Sequence, residues 1–262
     1  ILFYGDVFGK PGRAAVQKTL PVYIDQYKID FVVINGENAA HGRGITPEMA
    51  EEFFKLGADV ITTGNHVWDQ KKIIPVLESD DRVIRPANYP SRSPGKGSTI
   101  VKSKKDSSLQ LGVVQVMGRV FMDPVDCPFQ IGKTEIEKLI NQGIHNIVVD
   151  FHGEASSEKQ AFAHYMDGKV SAVLGTHSHV QTADERILPQ GTAAITDIGM
   201  CGCFDSVIGV KKEISIEKFL TKMPHRFEPA EGTGGVSAVV VELDAQSGLA
   251  KDIQRLREVE VV

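Results

Sequence analysis

A chain of 262 residues with 42% hydrophobic and 24% charged side chains has the composition of a globular protein with a substantial core, which argues against disorder. Its 34 acidic against 29 basic residues leave a formal charge of −5, so nothing draws it globally to nucleic-acid backbones or anionic membranes. Stable binding of duplex nucleic acid is not expected, while small phosphorylated ligands remain open.

The opening Ile1–Tyr4 reads as a strand, Gly5–Gly12 as a glycine-rich loop, and Arg13–Tyr27 as a helix. Four apolar residues before a glycine and a charge are too few for a signal-peptide core, and no later run approaches membrane-spanning length. Phe31–Asn35 reads as a buried strand, Pro47–Leu56 as a helix capped by Thr46, and Asp59–Thr62 as a further strand. Short apolar runs separated by helices are the pattern of parallel strands covered on both faces. Pro86–Gly97, rich in Pro, Gly and Ser, reads as a long surface loop. From about Ser98 the texture changes: Thr99–Ser103 and Leu109–Val116 read as paired strands around the turn Lys104–Ser108, and residues 117–145 as a small lobe. Ile147–Phe151 and Ala172–Gly175 are short buried strands, and Gly234–Leu243 and Ile253–Val261 strand-like runs. The later strands are assigned to a second, mixed sheet facing the first, with helices outside. The whole of 1–262 is read as one domain. Three cysteines, Cys127, Cys201 and Cys203, form neither a disulfide framework nor a zinc-ribbon spacing, and they fit a reducing, cytoplasmic setting.

Polar clusters follow the buried strands in phase: Gly5-Asp6, Asn35-Gly36-Glu37-Asn38, Gly64-Asn65-His66, Asp150-Phe151-His152-Gly153 and Gly175-Thr176-His177-Ser178-His179. Loops at strand ends are where α/β folds gather ligands. One such cluster means little, but five in phase mean a site. Asp6 and Glu37 are hard anionic oxygen ligands, and Asn65 offers an amide oxygen. His152, His177 and His179 offer imidazoles suited to Fe, Mn or Zn rather than to Ca or Mg. Two such cations close together clamp a phosphoryl group and generate a nucleophile near neutral pH.

The ordered motifs GD, GEN, GNH and GTHSH resemble those of calcineurin-like metallophosphoesterases. The longer strings INGENAAHGRGIT, TTGNHVWD, RPANYP, DFHGEASSEK, GTHSHVQTAD and ITDIGM resemble the bacterial YmdB-like branch in particular, from Ile1 to beyond Phe227. The resemblance implies an α/β fold, a four-layer αββα sandwich of two mixed sheets, with a dinuclear centre of Fe or Mn. It implies phosphodiesterase action on small substrates such as 2′,3′-cyclic nucleotides, by attack of a hydroxide bridging the metals. Carried over by position, it puts Asp6, Glu37 and His179 on one metal, with Asn38 nearby or ligating. Glu37, Asn65, His152 and His177 would hold the other, and His66 would protonate the leaving oxygen. The wider superfamily has a His where Phe8 stands and an Asp where Glu37 stands.

Blander readings exist for each residue. Asp6 alone is an ordinary helix cap, Gly64-Asn65 a turn dipeptide, His152 a satisfied core imidazole and His177-x-His179 a surface pair; their common phase with strand ends favours ligation. His41 and Arg43 sit on a glycine-flexible loop and either touch substrate phosphate or are merely solvated. His145, His164 and His225 carry no spacing logic. Cys201-Gly-Cys203 reads as a small-residue packing loop rather than a metal or redox pair. The rival functions are a phosphomonoesterase or nuclease using the same centre, and a metal- and nucleotide-binding regulatory protein with little turnover. The last has no use for an acid at His66. A symmetric homo-oligomer is the usual state of such enzymes.

Overall fold

The computed structural model describes residues 1–261. In chain order the elements are β1 (Leu2–Tyr4), β2 (Asp6–Val7), α1 (Gly9–Gln26), β3 (Val32–Asn35), α2 (Pro47–Leu56), β4 (Val60–Thr62) and α3 (Ile74–Ser79). There follow β5 (Ser98–Lys102), β6 (Gln110–Met117), α4 (Pro128–Asn141), β7 (Ile147–His152), α5 (Ser156–Met166), β8 (Ala172–Thr176), β9 (Arg186–Ile187), β10 (Ala193–Ile195) and β11 (Met200–Cys201). Helix α6 (Lys212–Thr221) and strands β12 (Val236–Leu243) and β13 (Ala250–Glu258) complete the fold.

Two mixed sheets, ordered β13-β12-β1-β3-β4 and β5-β6-β7-β8-β10-β9, stack face to face, and β2 pairs with β11 in a small ladder beside them. The alternation of side chains along each strand explains the stacking. Phe3, Val33 and Val60 point from the first sheet into a core shared with Leu111, Val113, Val148 and Leu174 of the second. Their neighbours Leu2, Tyr4, Val32 and Ile34 face the other way, onto Val16, Leu20 and Phe53 of α1 and α2. Across the molecule Val114, Val116, Val149 and Phe151 meet Ile136, Leu139, Phe162 and Met166 of α4 and α5. Three apolar interfaces make four layers, α on β on β on α, as the motif resemblance implied. Each such side chain, fully buried, contributes roughly 1.5–3 kcal/mol.

Several boundaries differ from the sequence reading. Asp6-Val7 is a short strand, because Met200-Cys201 runs parallel to it, and α1 starts at Gly9 with Pro11 in its first turn, where a missing N–H costs nothing. The hairpin β12–β13 belongs to the first sheet: Val240 stands opposite Leu2, antiparallel. Strand character is local, but the partner is chosen by which edge needs covering. Residues 117–145 are no lobe, since α4 lies on β6 and α5. Pro86–Gly97 is only partly a surface loop. Asn88 is fully buried and donates to the carbonyls of Met117 and Asp126 at 2.7 and 2.9 Å. As read from the sequence, Thr46 caps α2, its hydroxyl accepting from the Met49 amide at 3.4 Å.

Candidate metal centre

Strands β1, β3 and β4 are mutually parallel, as are β6, β7, β8 and β10, so the loops after them open at the same end of each sheet. A buried polar seam locks those ends together. Asn35, ending β3, donates to the carboxylate of Asp150 on β7 at 3.1 Å. Gln115 on β6 donates to the same carboxylate at 3.0 Å and accepts from the Thr63 amide at 3.1 Å. Above this seam sit all seven sequence-predicted ligands.

Four of them gather, three around one atom of the fourth. The Nε2 of His152 stands 3.0 Å from Asn65 Oδ1, 3.1 Å from His177 Nδ1 and 3.2 Å from Glu37 Oε1, and Glu37, His152 and His177 have the spacing of a metal-holding group. The outer nitrogens are already engaged. His152 Nδ1 lies 2.8 Å from the hydroxyl of Thr176, which itself donates to Asp150 at 2.7 Å, so the hydroxyl accepts from Nδ1–H. His177 Nε2 meets Glu154 Oε2 at 3.2 Å, which fixes its proton there and turns the Nδ1 lone pair inward. Two oxygens and two nitrogens therefore face one another with at most one proton among them. Buried lone pairs so arranged repel unless a positive charge joins them. Burial alone would raise the Glu37 carboxyl, but His152, by charge and hydrogen bond, holds it well below the usual carboxylate range. Burial would lower His152, but Glu37 keeps its imidazole above its ordinary value. His177, half-buried and next to His152, is pushed down to about 3 by desolvation and by that neighbour, and stays neutral. Glycine is required at position 64, where a β-carbon would lie 2.0 Å from Glu37 Oε2 and 2.5 Å from His152 Nε2.

The other three are drawn together less closely. His179 Nε2 is 3.2 Å from Asn38 Oδ1 and 3.9 Å from Asp6 Oδ1. His179 Nδ1 donates to the carbonyl of Ile208 at 2.8 Å, and Asn38 Nδ2 to that of Gly42 at 3.0 Å, so both turn lone pairs towards each other. Asp6 is fully buried. Its Oδ2 accepts from the His177 amide at 3.1 Å, while its Oδ1 finds no hydrogen-bond donor among the described residues. Burial pushes the Asp6 carboxyl up to about 6 despite His179 and His152 nearby. A buried, unpartnered carboxylate oxygen facing an imidazole lone pair is a second place suited to a cation. His177 and His179 both adopt left-handed backbone, φ 101° and 66°, a conformation uncommon outside glycine and frequent at functional sites.

His66 stands at the rim. Its amide donates to Glu37 Oε2 at 3.1 Å, and its Nδ1 pairs with Asp69 Oδ2 at 3.0 Å. Arg43 reaches the same Asp69 oxygen at 3.9 Å, so it supports the His66–Asp69 pair from outside. His41 instead lines a surface cavity of about 860 Å³ with Lys10, Lys18 and Lys211, which none of the seven donors touches. His145, His164 and His225 are exposed and lie outside the group. Cys201 and Cys203 are buried free thiols, bonded to the carbonyls of Ser237 and Glu231 at 3.4 Å each.

The sequence reading gave no role to the supports: Asn35, Gln115, Asp150, Thr176, Glu154 and the Lys159–Asp197 pair. In that pair a buried ammonium 2.6 Å from Asp197 Oδ2 anchors the loop whose Ser178 amide donates to the same oxygen at 3.0 Å. A signal existed for three of them, since Gln115, Asp150 and Asn35 are polar residues breaking Val-rich runs.

The family described as YmdB-like protein matches residues 2–256. The chain is 46% identical over 259 residues to a 2′,3′-cyclic-nucleotide 2′-phosphodiesterase of Bacillus subtilis strain 168, covering 98% of this chain and 96% of that one. A crystal structure described as a novel phosphatase from Mycoplasma pneumoniae superposes with a TM-score of 0.91 at 34% identity, over 99% of this chain and 92% of the other. A 5′-nucleotidase precursor from Thermus thermophilus shares the fold, with a TM-score of 0.59 at 12% identity over 99% of this chain and 54% of its own.

Proposed function

The chain belongs to the YmdB-like protein family, and from that premise we propose that it is a metal-dependent phosphodiesterase opening 2′,3′-cyclic nucleotides. The observation that supports this most is the convergence of Glu37 Oε1, Asn65 Oδ1 and His177 Nδ1 on His152 Nε2 at 3.0–3.2 Å, next to the His66–Asp69 pair. Glu37, Asn65, His152 and His177 would hold one ion and Asp6, Asn38 and His179 the other, with Glu37 shared. The mixed oxygen and imidazole donors suit Mn or Fe, with Zn open. When bound, such ions neutralise the phosphoryl charge and lower the pKa of water towards neutrality.

The chain's own groups do the rest. Thr176 and Glu154 hold His152 and His177 in the tautomers that face inward. Asp69 holds His66 by Nδ1, which leaves Nε2 to carry the exchangeable proton. Water adds across the bond from phosphorus to O2′, and His66 gives the departing O2′ its proton, yielding a nucleoside 3′-monophosphate. No helix among the described residues is long and apolar enough to cross a membrane, and the three free cysteines suit a reducing, cytoplasmic setting.

The test is hydrolysis of 2′,3′-cyclic AMP by purified protein, with metal counted before and after chelation. Expected is turnover that disappears on chelation and returns with Mn or Fe at about two ions per chain. Two bound ions without hydrolysis of this substrate or an aryl phosphodiester would replace the enzyme with a nucleotide-binding protein.

A further inference from the structure

Phe121 is 88% exposed and holds left-handed backbone at φ 62°. A bulky aromatic gains nothing for the fold from such a placement: its ring is left in water and its backbone in a region that β-carbons disfavour. The loop carrying it is nevertheless built firmly. On its near side the carboxylate of Glu158 on α5 accepts from the amides of Arg119 at 3.1 Å and Val120 at 3.2 Å. Glycine at 118 leaves room for that carboxylate, since a β-carbon would lie 2.6 Å from Glu158 Oε2 and displace it. On its far side buried Asn88 donates to the Asp126 carbonyl, and its own carbonyl accepts from the Asp126 amide at 3.0 Å. Both ends are clamped, and exposed Phe121 lies between them.

The loop begins at the metal centre. Met117, ending β6, is in register with His152, and the Gly118 amide donates to the His152 carbonyl at 2.9 Å. Three residues reach at most roughly 10 Å, so the Phe121 backbone lies within that distance of Gly118, about the span of one nucleoside. An aromatic pair also follows the centre in the chain: Trp68, two residues after His66, meets Tyr89 edge-on with ring centroids 5.5 Å apart. Burial, and after it the charges of Glu37 and Asp123, push Tyr89 up to about 12, so both the loop and the centre lie within electrostatic reach of this ring.

We infer that Phe121 is the platform on which the nucleobase of the substrate stacks while the cyclic phosphodiester lies at the donor cluster. The inference rests on reading this site as a nucleotide phosphodiesterase. Stacking on a ring accepts every base, since each has a π-face, so the device selects nucleosides over base-free phosphodiesters without choosing among nucleosides. It is a specificity element with no part in the bond-breaking step.

The experiment compares metal-loaded wild type, Phe121→Ala and Phe121→Trp on 2′,3′-cyclic AMP and on methyl riboside 2′,3′-cyclic phosphate, which lacks a base. For Phe121→Ala the KM for cyclic AMP should rise roughly 10-fold with kcat nearly unchanged, and Phe121→Trp should restore it. The base-free substrate should not distinguish the three proteins. An equal effect on both substrates, no effect on either, or a change in sedimentation with KM unaltered would overturn the stacking role, the last making Phe121 a contact between copies. Hydrolysis of neither substrate by the wild type would overturn the phosphodiesterase reading itself, and the stacking role with it.

Discussion

The two flanks of the donor cluster are built to different tolerances. Around His152 the other candidate ligand atoms are already within 3.2 Å of one nitrogen, and the outer nitrogens of His152 and His177 are held by Thr176 and Glu154. Around Asp6 the spacing opens to 3.9 Å, and one carboxylate oxygen has no donor among the described residues. The charges differ as well. Glu37 is stabilised as an anion by His152, whereas Asp6 is charged at a cost that burial imposes. The first flank can be half-satisfied by the protein's own proton, while the second depends on something brought from outside.

That contrast is broken or sharpened most directly by replacing each carboxylate with its amide. Glu37→Gln removes the charge shared by both flanks, so metal content and turnover should both vanish. Asp6→Asn should leave about one ion per chain, held by the His152 flank. In chelated protein the two substitutions should act on stability with opposite signs. Glu37 lies below its unfolded value, so its contribution is present above about pH 4.5 and lost as pH falls below that. Asp6 is raised from 3.8 to about 6, so the folded state binds the extra proton in that window and stability falls as pH rises through it. Above pH 6 the buried charge costs on the order of 3 kcal/mol at most, and Asp6→Asn should raise the Tm of the metal-free protein by a few degrees. Metal counting with calorimetry decides it; loss of both ions from Asp6→Asn would mean the flanks are a single unit.

His66 belongs to neither flank, and the comparison predicts that it can be removed without disturbing either. Its side chain is tied to Asp69, and only its backbone amide touches Glu37. His66→Ala should keep both ions and lower turnover roughly 10²–10⁴-fold, the usual effect of losing a general acid. If metal content falls instead, His66 is a ligand and its role as acid is wrong.

How much of this could be read in the sequence divides along similar lines. The candidate donors stood out because each follows a short apolar run: Glu37 and Asn38, Asn65, and His177 and His179 all stand just past a buried strand. Parallel strands then bring such ends together whatever the intervening helices are. The tertiary choices were not legible. Nothing local in Gly234–Leu243 says that it will pair with Leu2–Tyr4, since both faces of that strand are apolar and would suit either sheet. Likewise Thr176 and Glu154 look like ordinary loop polar residues until the fold sets them behind His152 and His177. Phe121 has no periodic signature at all, because its meaning lies in being exposed.

The two supports behind the imidazoles give the finest test of the tight flank, and the smallest effects. Thr176 is fully buried, and its hydroxyl both accepts from His152 and donates to Asp150. Thr176→Val keeps the shape but strands two buried polar partners, and it should weaken metal binding about 10–100-fold, the range for such supports. Glu154 does the corresponding work for His177, but its side chain is 51% exposed. Water can replace a carboxylate there, and the ion pair is screened, so Glu154→Gln should cost less than about 10-fold on the same scale. Competition against a chelating dye with Mn would rank them. If Glu154→Gln is the more damaging, orientation of His177 rather than burial of His152 sets the affinity, and the tight flank owes its order to its rim.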